Sequence, residues 1–310
     1  MQYRILGKTG LKVSAVGFGG IPIQRIDARG TRALMERLVE KGVNYIDTAR
    51  GYTVSESYLG EALSGGLREK FILATKSMSR GYADMARDIG ISLSNLRTDY
   101  IDLYQLHNIK SDADFELAFS AEGAVAAIQD AIRAGKVGHL GATAHSVDSF
   151  ERLLSYPEIE TIMFPYNIVE SQGEALMERA AAQNVGVIAM KPLAGGNITD
   201  GTLAMRYILQ NKTCTLAIPG MATLEEIEQN TAAAEQDGPL TPEELAACEA
   251  IRAGLSGNFC RRCGYCAPCT VGIDIPGIFT LENYLKHYDL ADWVLSNFTG
   301  PEDKLITEAA

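Results

Sequence analysis

Four residues early in the chain carry groups that could move protons: Asp47, Tyr52, Lys76 and His107. Three of them close short apolar runs. Asp47 ends Asn44-Tyr45-Ile46, Lys76 ends Phe71-Ile72-Leu73-Ala74-Thr75, and His107 ends Tyr100-Ile101-Asp102-Leu103-Tyr104-Gln105-Leu106; Tyr52 follows Asp47 across a turn that Gly51 permits. A carboxylate where a buried run leaves the core is costly unless paired or hydrated, so Asp47 asks for a partner. Each group taken alone has an ordinary explanation: Asp47 as a helix cap before Val54, Tyr52 as surface packing, Lys76 as a solvated lysine and His107 as a capping imidazole. Brought to one place, they make an acid–base site. A second set lies far downstream, where Cys260, Cys263, Cys266 and Cys269 put four of the six cysteines within ten residues. Thiolates spaced Cys-x-x-Cys-x-x-Cys can wrap three corners of a [4Fe-4S] cluster, with Gly264 allowing close backbone approach; a tetrahedral zinc site is the rival.

The elements that must position these groups alternate. Residues 3–20 read as a hairpin, turning at Gly7-Lys8-Thr9-Gly10, followed by a first strand over Ser14 to Phe18. Gly19-Gly20 lets the loop after that strand approach another group closely. Helices near 28–41, 55–63, 83–96, 123–134, 147–155, 173–183, 202–210 and 224–234 then alternate with strands at 43–47, 71–75, 100–106, 137–142, 161–164, 185–190 and 214–218. Eight strand–helix units over about 220 residues predict a parallel sheet closed as a (β/α)₈ TIM barrel. No Gly-x-Gly-x-x-Gly opens the first helix, which argues against a dinucleotide-binding doubly wound sheet. In a barrel, chemistry belongs at the C-terminal strand ends. That rule gathers Asp47, Lys76 and His107 on one rim with Tyr52 beside them.

Composition bounds the partners. Hydrophobic content of 46% with 22% charged residues suits a globular chain with a large core. A net charge of -11 disfavours nucleic acid and anionic membrane. The absence of an 18-residue apolar run and of an export-type N-terminus predicts a cytoplasmic protein outside the membrane. In that compartment crowded cysteines mean metal more often than disulfides. The chain divides into a barrel over residues 1–240 and a small helical, cysteine-rich extension over 241–310.

Asp47-Thr48-Ala49, Tyr52, Ser55-Glu56, Leu59-Gly60, Ala74-Thr75-Lys76 and Gln105-Leu106-His107-Asn108, in this order and spacing, resemble the aldo-keto reductases. That superfamily of barrels reduces carbonyls with a nicotinamide cofactor, and the resemblance covers roughly residues 1–235. It implies a small-molecule aldehyde or ketone substrate and gives Tyr52 the role of general acid. A phenol titrates near ~10, and a cation within ~4–6 Å favours its ionised form. Lys76 would be that cation, Asp47 would hold it charged, and His107 would orient the carbonyl. For the cofactor, NADP with NAD as the alternative, the resemblance implies contacts from Gly19, Asp47, Thr143, Asn167, Met190, Lys191, Pro192, Leu193, Gly195, Ile218, Gly220, Glu228 and Asn230. The sequence departs from the family where Gly141-Ala142-Thr143-Ala144-His145-Ser146 stands for a Ser-Asn pair, and where Met163 and Met190 stand for a glutamine and an aromatic residue. Gly220-Met221-Ala222-Thr223 also lacks a basic residue for a 2′-phosphate.

The cysteine segment resembles the tail of an iron-sulfur branch of the same superfamily, although Thr270 follows the last cysteine where a proline is usual. Amphipathic helices are expected at 277–285 and 291–297, with Trp293 as a packing anchor, before a polar stretch at 300–310. No second cysteine group follows Cys269. The cluster is therefore structural, or it serves an external redox partner, in which case the barrel is non-catalytic or regulatory.

Overall fold

The structure, a computed structural model, describes residues 1–236, 238–257, 259–261, 265–266, 268–287 and 290–296. Strands β1 (Tyr3–Ile5) and β2 (Lys12–Ser14) pair antiparallel with Tyr3 opposite Ser14. This hairpin plugs one end of the barrel. Leu6 is fully buried beneath it, and the Lys8 backbone N–H donates to the Asn184 carbonyl at 2.6 Å. The turn needs glycine at Gly7, which has φ +53 and whose Cβ would lie 2.2 Å from the Gly186 nitrogen.

The sheet runs β3 (Phe18–Gly19), β4 (Tyr45–Asp47), β5 (Ile72–Ser77), β6 (Ile101–Leu106), β7 (Val137–Thr143), β8 (Thr161–Pro165), β9 (Gly186–Met190) and β10 (Leu216–Ala217). These eight strands are neighbours in sequence order and every pair is parallel. Parallel bridges from Val16 to Ala217 and from Gly19 to Gly220 join the first strand to the last, so the sheet curls on itself as a barrel. Between strands come α1 (Ala28–Glu40), α2 (Ser55–Ala62), α3 (Tyr82–Asn95), α4 (Asp112–Ala118) with α5 (Ala124–Arg133), α6 (Val147–Leu153), α7 (Glu174–Ala182), α8 (Gly201–Gln210) and α9 (Leu224–Ala232). Past the barrel lie α10 (Pro242–Leu255), α11 (Ile275–His287) and α12 (Ala291–Ser296).

Alternation along each strand builds two apolar layers. Leu6, Val13, Tyr45, Ala74, Leu103, Met163, Ile188, Leu216 and Ile218 fill the interior. Ile46, Leu73, Tyr104, Leu140, Ile162 and Val187 instead face the helices and join the larger outer core.

Differences from the sequence reading lie at the edges of elements. The first strand is the short Phe18–Gly19 pair, because Ala15 to Gly17 bond to the last strand through single bridges and loops. Strand β5 runs through Lys76 to Ser77, so Lys76 is paired within the sheet opposite Gln105 and its side chain points inward. An additional helix absent from the sequence-read alternation, α4, follows β6, and Ser111 and Asp114 close its N-terminus as a capping box. Cys263, Gly264, the packing of Trp293 and the polar stretch at 300–310 lie outside what is described.

Candidate active site

The strand ends and the loop after β4 bring Asp47, Tyr52, Lys76 and His107 to one cavity. Asp47 and Lys76 are each 2% exposed and form an ion pair. The Lys76 Nζ also donates to the Thr48 carbonyl at 2.8 Å, and the Gln105 Nε2 donates to the second Asp47 oxygen at 3.0 Å. Burial pushes the Asp47 carboxyl up and the Lys76 ammonium down, and the opposite charge of each partner works against that shift. The pair thus keeps a charge where the sheet would otherwise exclude one.

Tyr52 lies over this pair. The Lys76 Nζ is 4.8 Å from the centre of its ring. The His107 ring stands edge-on to Tyr52 with centroids 6.0 Å apart and planes at 88°. Its Nδ1 is buried and has no hydrogen-bond partner among the described residues. Burial, with the nearby charges of Lys76, Arg80 and Lys191, holds the His107 imidazole well below its ordinary pKa. At neutral pH it is therefore an uncharged ring that can donate one hydrogen bond. Arg80 steadies this turn, donating to the carbonyls of His107 and Asn108 at 2.8 and 3.0 Å.

These groups open into a cavity of about 590 Å³, within the range of small-molecule sites. Of the residues that the resemblance implied for a cofactor, Gly19, Asp47, Thr143, Met190, Lys191, Pro192, Leu193, Ile218 and Gly220 line it. Asn167 does not. It is fully buried, and its amide is spent on Glu170, the Lys191 carbonyl and the Val169 and Glu170 N–H groups. Gly195 turns away toward Asn283, and Gly196 takes its place on the wall. Glu228 pairs with Arg37 and Lys41 on the outer surface, and Asn230 packs its buried side chain against Gly201. Neither lines the cavity.

The loop after β9 is strained at two non-glycine residues with positive φ, Lys191 (54°) and Ala194 (50°), and continues through Gly195 (69°) and Gly196 (93°), for which that region is open. Such backbone persists where the surroundings over-determine it, often beside a ligand. Lys191 is pushed down to about 8 by burial, with the nearby Cys260 opposing the shift.

The last wall was not legible in the sequence. Pro276, Gly277, Thr280, Tyr284 and His287 of α11 line the cavity at the spacing of one helix face. The Asn197 Nδ2 donates to Asn283 Oδ1 at 3.1 Å, tying this helix to the strained loop. An amphipathic reading of 277–285 was the available signal, but nothing local said which surface its face would meet.

Among the described residues no three Cys, His, Asp or Glu side chains gather as a metal site, and Cys263 lies outside them. Cys260, Cys266 and Cys269 are free and partly buried. The Cys269 thiol is drawn below its usual range by backbone hydrogen bonds from Val271, Ile273 and Gly272.

A parallel α/β barrel that carries a buried carboxylate–ammonium pair, a tyrosine and a neutral histidine at its strand ends defines an enzyme of the barrel-oxidoreductase class. More closely, the chain belongs to the aldo/keto reductase family, whose model matches residues 15–202. It is similar to L-galactose dehydrogenase of Arabidopsis thaliana, with 28% identity over 81% of this chain and 94% of that protein. It is also similar to aldo-keto reductase YhdN of Bacillus subtilis, 26% identical over 68% of this chain and 67% of the relative. Among solved structures, the holo form of aldo-keto reductase AKR11C1 from Bacillus halodurans superposes with a TM-score of 0.71 at 26% identity, covering 81% of this chain and 96% of that one. Among the described residues no helix is long and apolar enough to cross a membrane.

Proposed function

We propose that this oxidoreductase interconverts a small carbonyl compound and its alcohol with a nicotinamide dinucleotide, using Tyr52 as general acid. The observation that carries the reading is the Lys76 ammonium, held by Asp47 inside the sheet and 4.8 Å from the Tyr52 ring. A cation there stabilises the phenolate left when the phenol gives up its proton, and so promotes transfer to the carbonyl oxygen. His107, uncharged, donates a hydrogen bond to the same oxygen and offsets the charge that grows on it. Gln105 and the Thr48 carbonyl fix the pair without entering the reaction.

The cavity suits a dinucleotide. It is continuous from the proposed catalytic groups past Gly19 and Gly220, and the His107 ring stands on its wall. Thr143, Met190, Lys191, Pro192, Leu193 and Ile218 would hold the cofactor, with the Met190 thioether against a ring face. When bound, the nicotinamide supplies or receives the hydride. One similar protein is named a dehydrogenase and another a reductase, and the proposed hydride transfer is reversible.

For the extension, we propose a [4Fe-4S] cluster on Cys260, Cys263, Cys266 and Cys269, with zinc as the competing metal. The donor set is all thiol, and the backbone N–H groups aimed at the Cys269 sulfur are the kind that stabilise a metal-bound thiolate.

The test is a fluorescence titration of NADH and NADPH beside carbonyl turnover by wild type and Tyr52→Phe. Binding retained with turnover lost supports the assignment. Unchanged turnover removes Tyr52 as the acid, and binding of neither nucleotide sinks the reading.

A further inference from the structure

The cavity ends, opposite the catalytic groups, against the N-terminus of α9, where Pro22, Arg25, Gly220 and Glu226 form its walls. A helix N-terminus with open N–H groups attracts phosphate. Here three of the N–H groups around that terminus are already taken. The Ala222 and Thr223 backbone N–H groups donate to the Glu226 Oε2 at 2.6 and 3.0 Å, and the Glu226 N–H donates to the Thr223 hydroxyl at 3.1 Å. The carboxylate therefore sits where an added phosphate would have to dock, and brings a like charge to it.

No lysine or arginine occurs between Ile218 and Ala232, and Glu225 adds a second negative charge to the first turn. Arg25, a cation on this wall, turns its Nη2 toward the Glu226 Oε1 at 3.9 Å and its Nε toward the Pro22 carbonyl at 3.4 Å. Half-buried on the cavity wall, Glu226 Oε1 receives no backbone N–H among the described residues. It is the acceptor that a ribose with two free hydroxyls would use, as acidic residues do in sites that take NAD.

We infer that Glu226 selects the unphosphorylated dinucleotide, so that the chain uses NAD(H) in preference to NADP(H); this rests on the reading of the cavity as a nicotinamide-dinucleotide site. The selection is electrostatic as well as steric. A 2′-phosphate would meet the Glu226 carboxylate in a recess whose Arg25 that carboxylate already engages.

The experiment measures dissociation constants of NADH and NADPH by fluorescence for wild type, Glu226→Gln and Glu225→Gln, without turnover. Glutamine preserves the capping geometry while removing the charge, so the fold of α9 is kept. Wild type is expected to bind NADH about tenfold or more tightly than NADPH, the worth of one charge-assisted hydrogen bond. Glu226→Gln should narrow that gap, and Glu225→Gln, which removes the same charge from outside the cavity, should leave it in place. NADPH bound as tightly as NADH by wild type, or an unchanged ratio in Glu226→Gln, overturns the inference. A gap that closes equally in both variants overturns it too, since net charge alone would then be responsible. Failure of both nucleotides to bind removes the dinucleotide reading first and this inference with it.

Discussion

The Lys76 ammonium stands between a carboxylate inside the sheet and the face of Tyr52, 4.8 Å from the ring centre. This one side chain joins structure to chemistry, and two substitutions separate its roles. Tyr52→Phe keeps the ring over the ammonium and removes the hydroxyl proposed as the acid, so turnover should fall by about 10²- to 10⁴-fold with a smaller loss of stability than Asp47→Asn gives. Asp47→Asn leaves a buried ammonium without its counter-charge, which costs about 3 kcal/mol or more in stability as well as activity. Urea unfolding beside steady-state kinetics reads both. A Tyr52→Phe protein as unstable as Asp47→Asn would make the tyrosine a packing residue.

His107 gives a pH signature with a definite sign. Its folded pKa lies well below the ordinary 6.5, so on acidification the unfolded chain takes up this proton before the folded one does. The neutral ring's contribution is whole above about pH 6.5 and declines below it, by at most ~1.4 kcal/mol per pH unit until the folded pKa is reached. His107→Gln should flatten that part of the stability curve between pH 7.5 and 5.5, measured by urea unfolding at each pH. An equal acid loss in the variant would place the titration elsewhere. Because the ring stays neutral from pH 7 to 8, it should put no limb into the turnover profile there.

What could be read in advance follows from the range of the forces involved. The strand-end rule works because a β-strand's period of two and the barrel's topology are both written locally. Asp47, Lys76 and His107 each follow an apolar run, and parallel pairing then leaves them on one rim. Glu228 sits on a correctly read helix and Asn167 just past a correctly read strand, yet their side chains are taken by Arg37 with Lys41 and by Glu170 with the Lys191 carbonyl. The wall supplied by α11 was hidden for the same reason, since an amphipathic stretch announces a buried face and leaves its partner unnamed.

That wall can be tested at its tightest contact. Gly196 has φ +93, and a Cβ there would lie 2.4 Å from the Cβ of His287. Gly196→Ala must either strain the loop or lift α11 from it. The cost should be about 1–3 kcal/mol, with the Michaelis constant for the carbonyl substrate raised more than kcat is lowered. Limited proteolysis should cut nearer α11 in the variant. Kinetics and cleavage identical to wild type would show that the tail helix does not hold the cavity closed.

The cysteine segment reaches the same cavity by a short path, because Cys269 precedes by only a few residues the helix that carries Thr280, Tyr284 and His287, and Cys260 lies within electrostatic reach of Lys191. Metal on these thiols would tie down the chain before α11, so its removal should loosen the pocket wall as Gly196→Ala does. Anaerobic purification should return roughly four iron and four sulfide per chain, and chelation should weaken nucleotide binding along with loss of the visible absorption. Zinc at about one per chain would instead make the segment a structural clamp with no electron to pass. If the metal is iron, dithionite bleaching of the absorption would show a reducible cluster and keep open an external redox partner. A cluster that resists reduction while still holding α11 in place would confine it to a structural role.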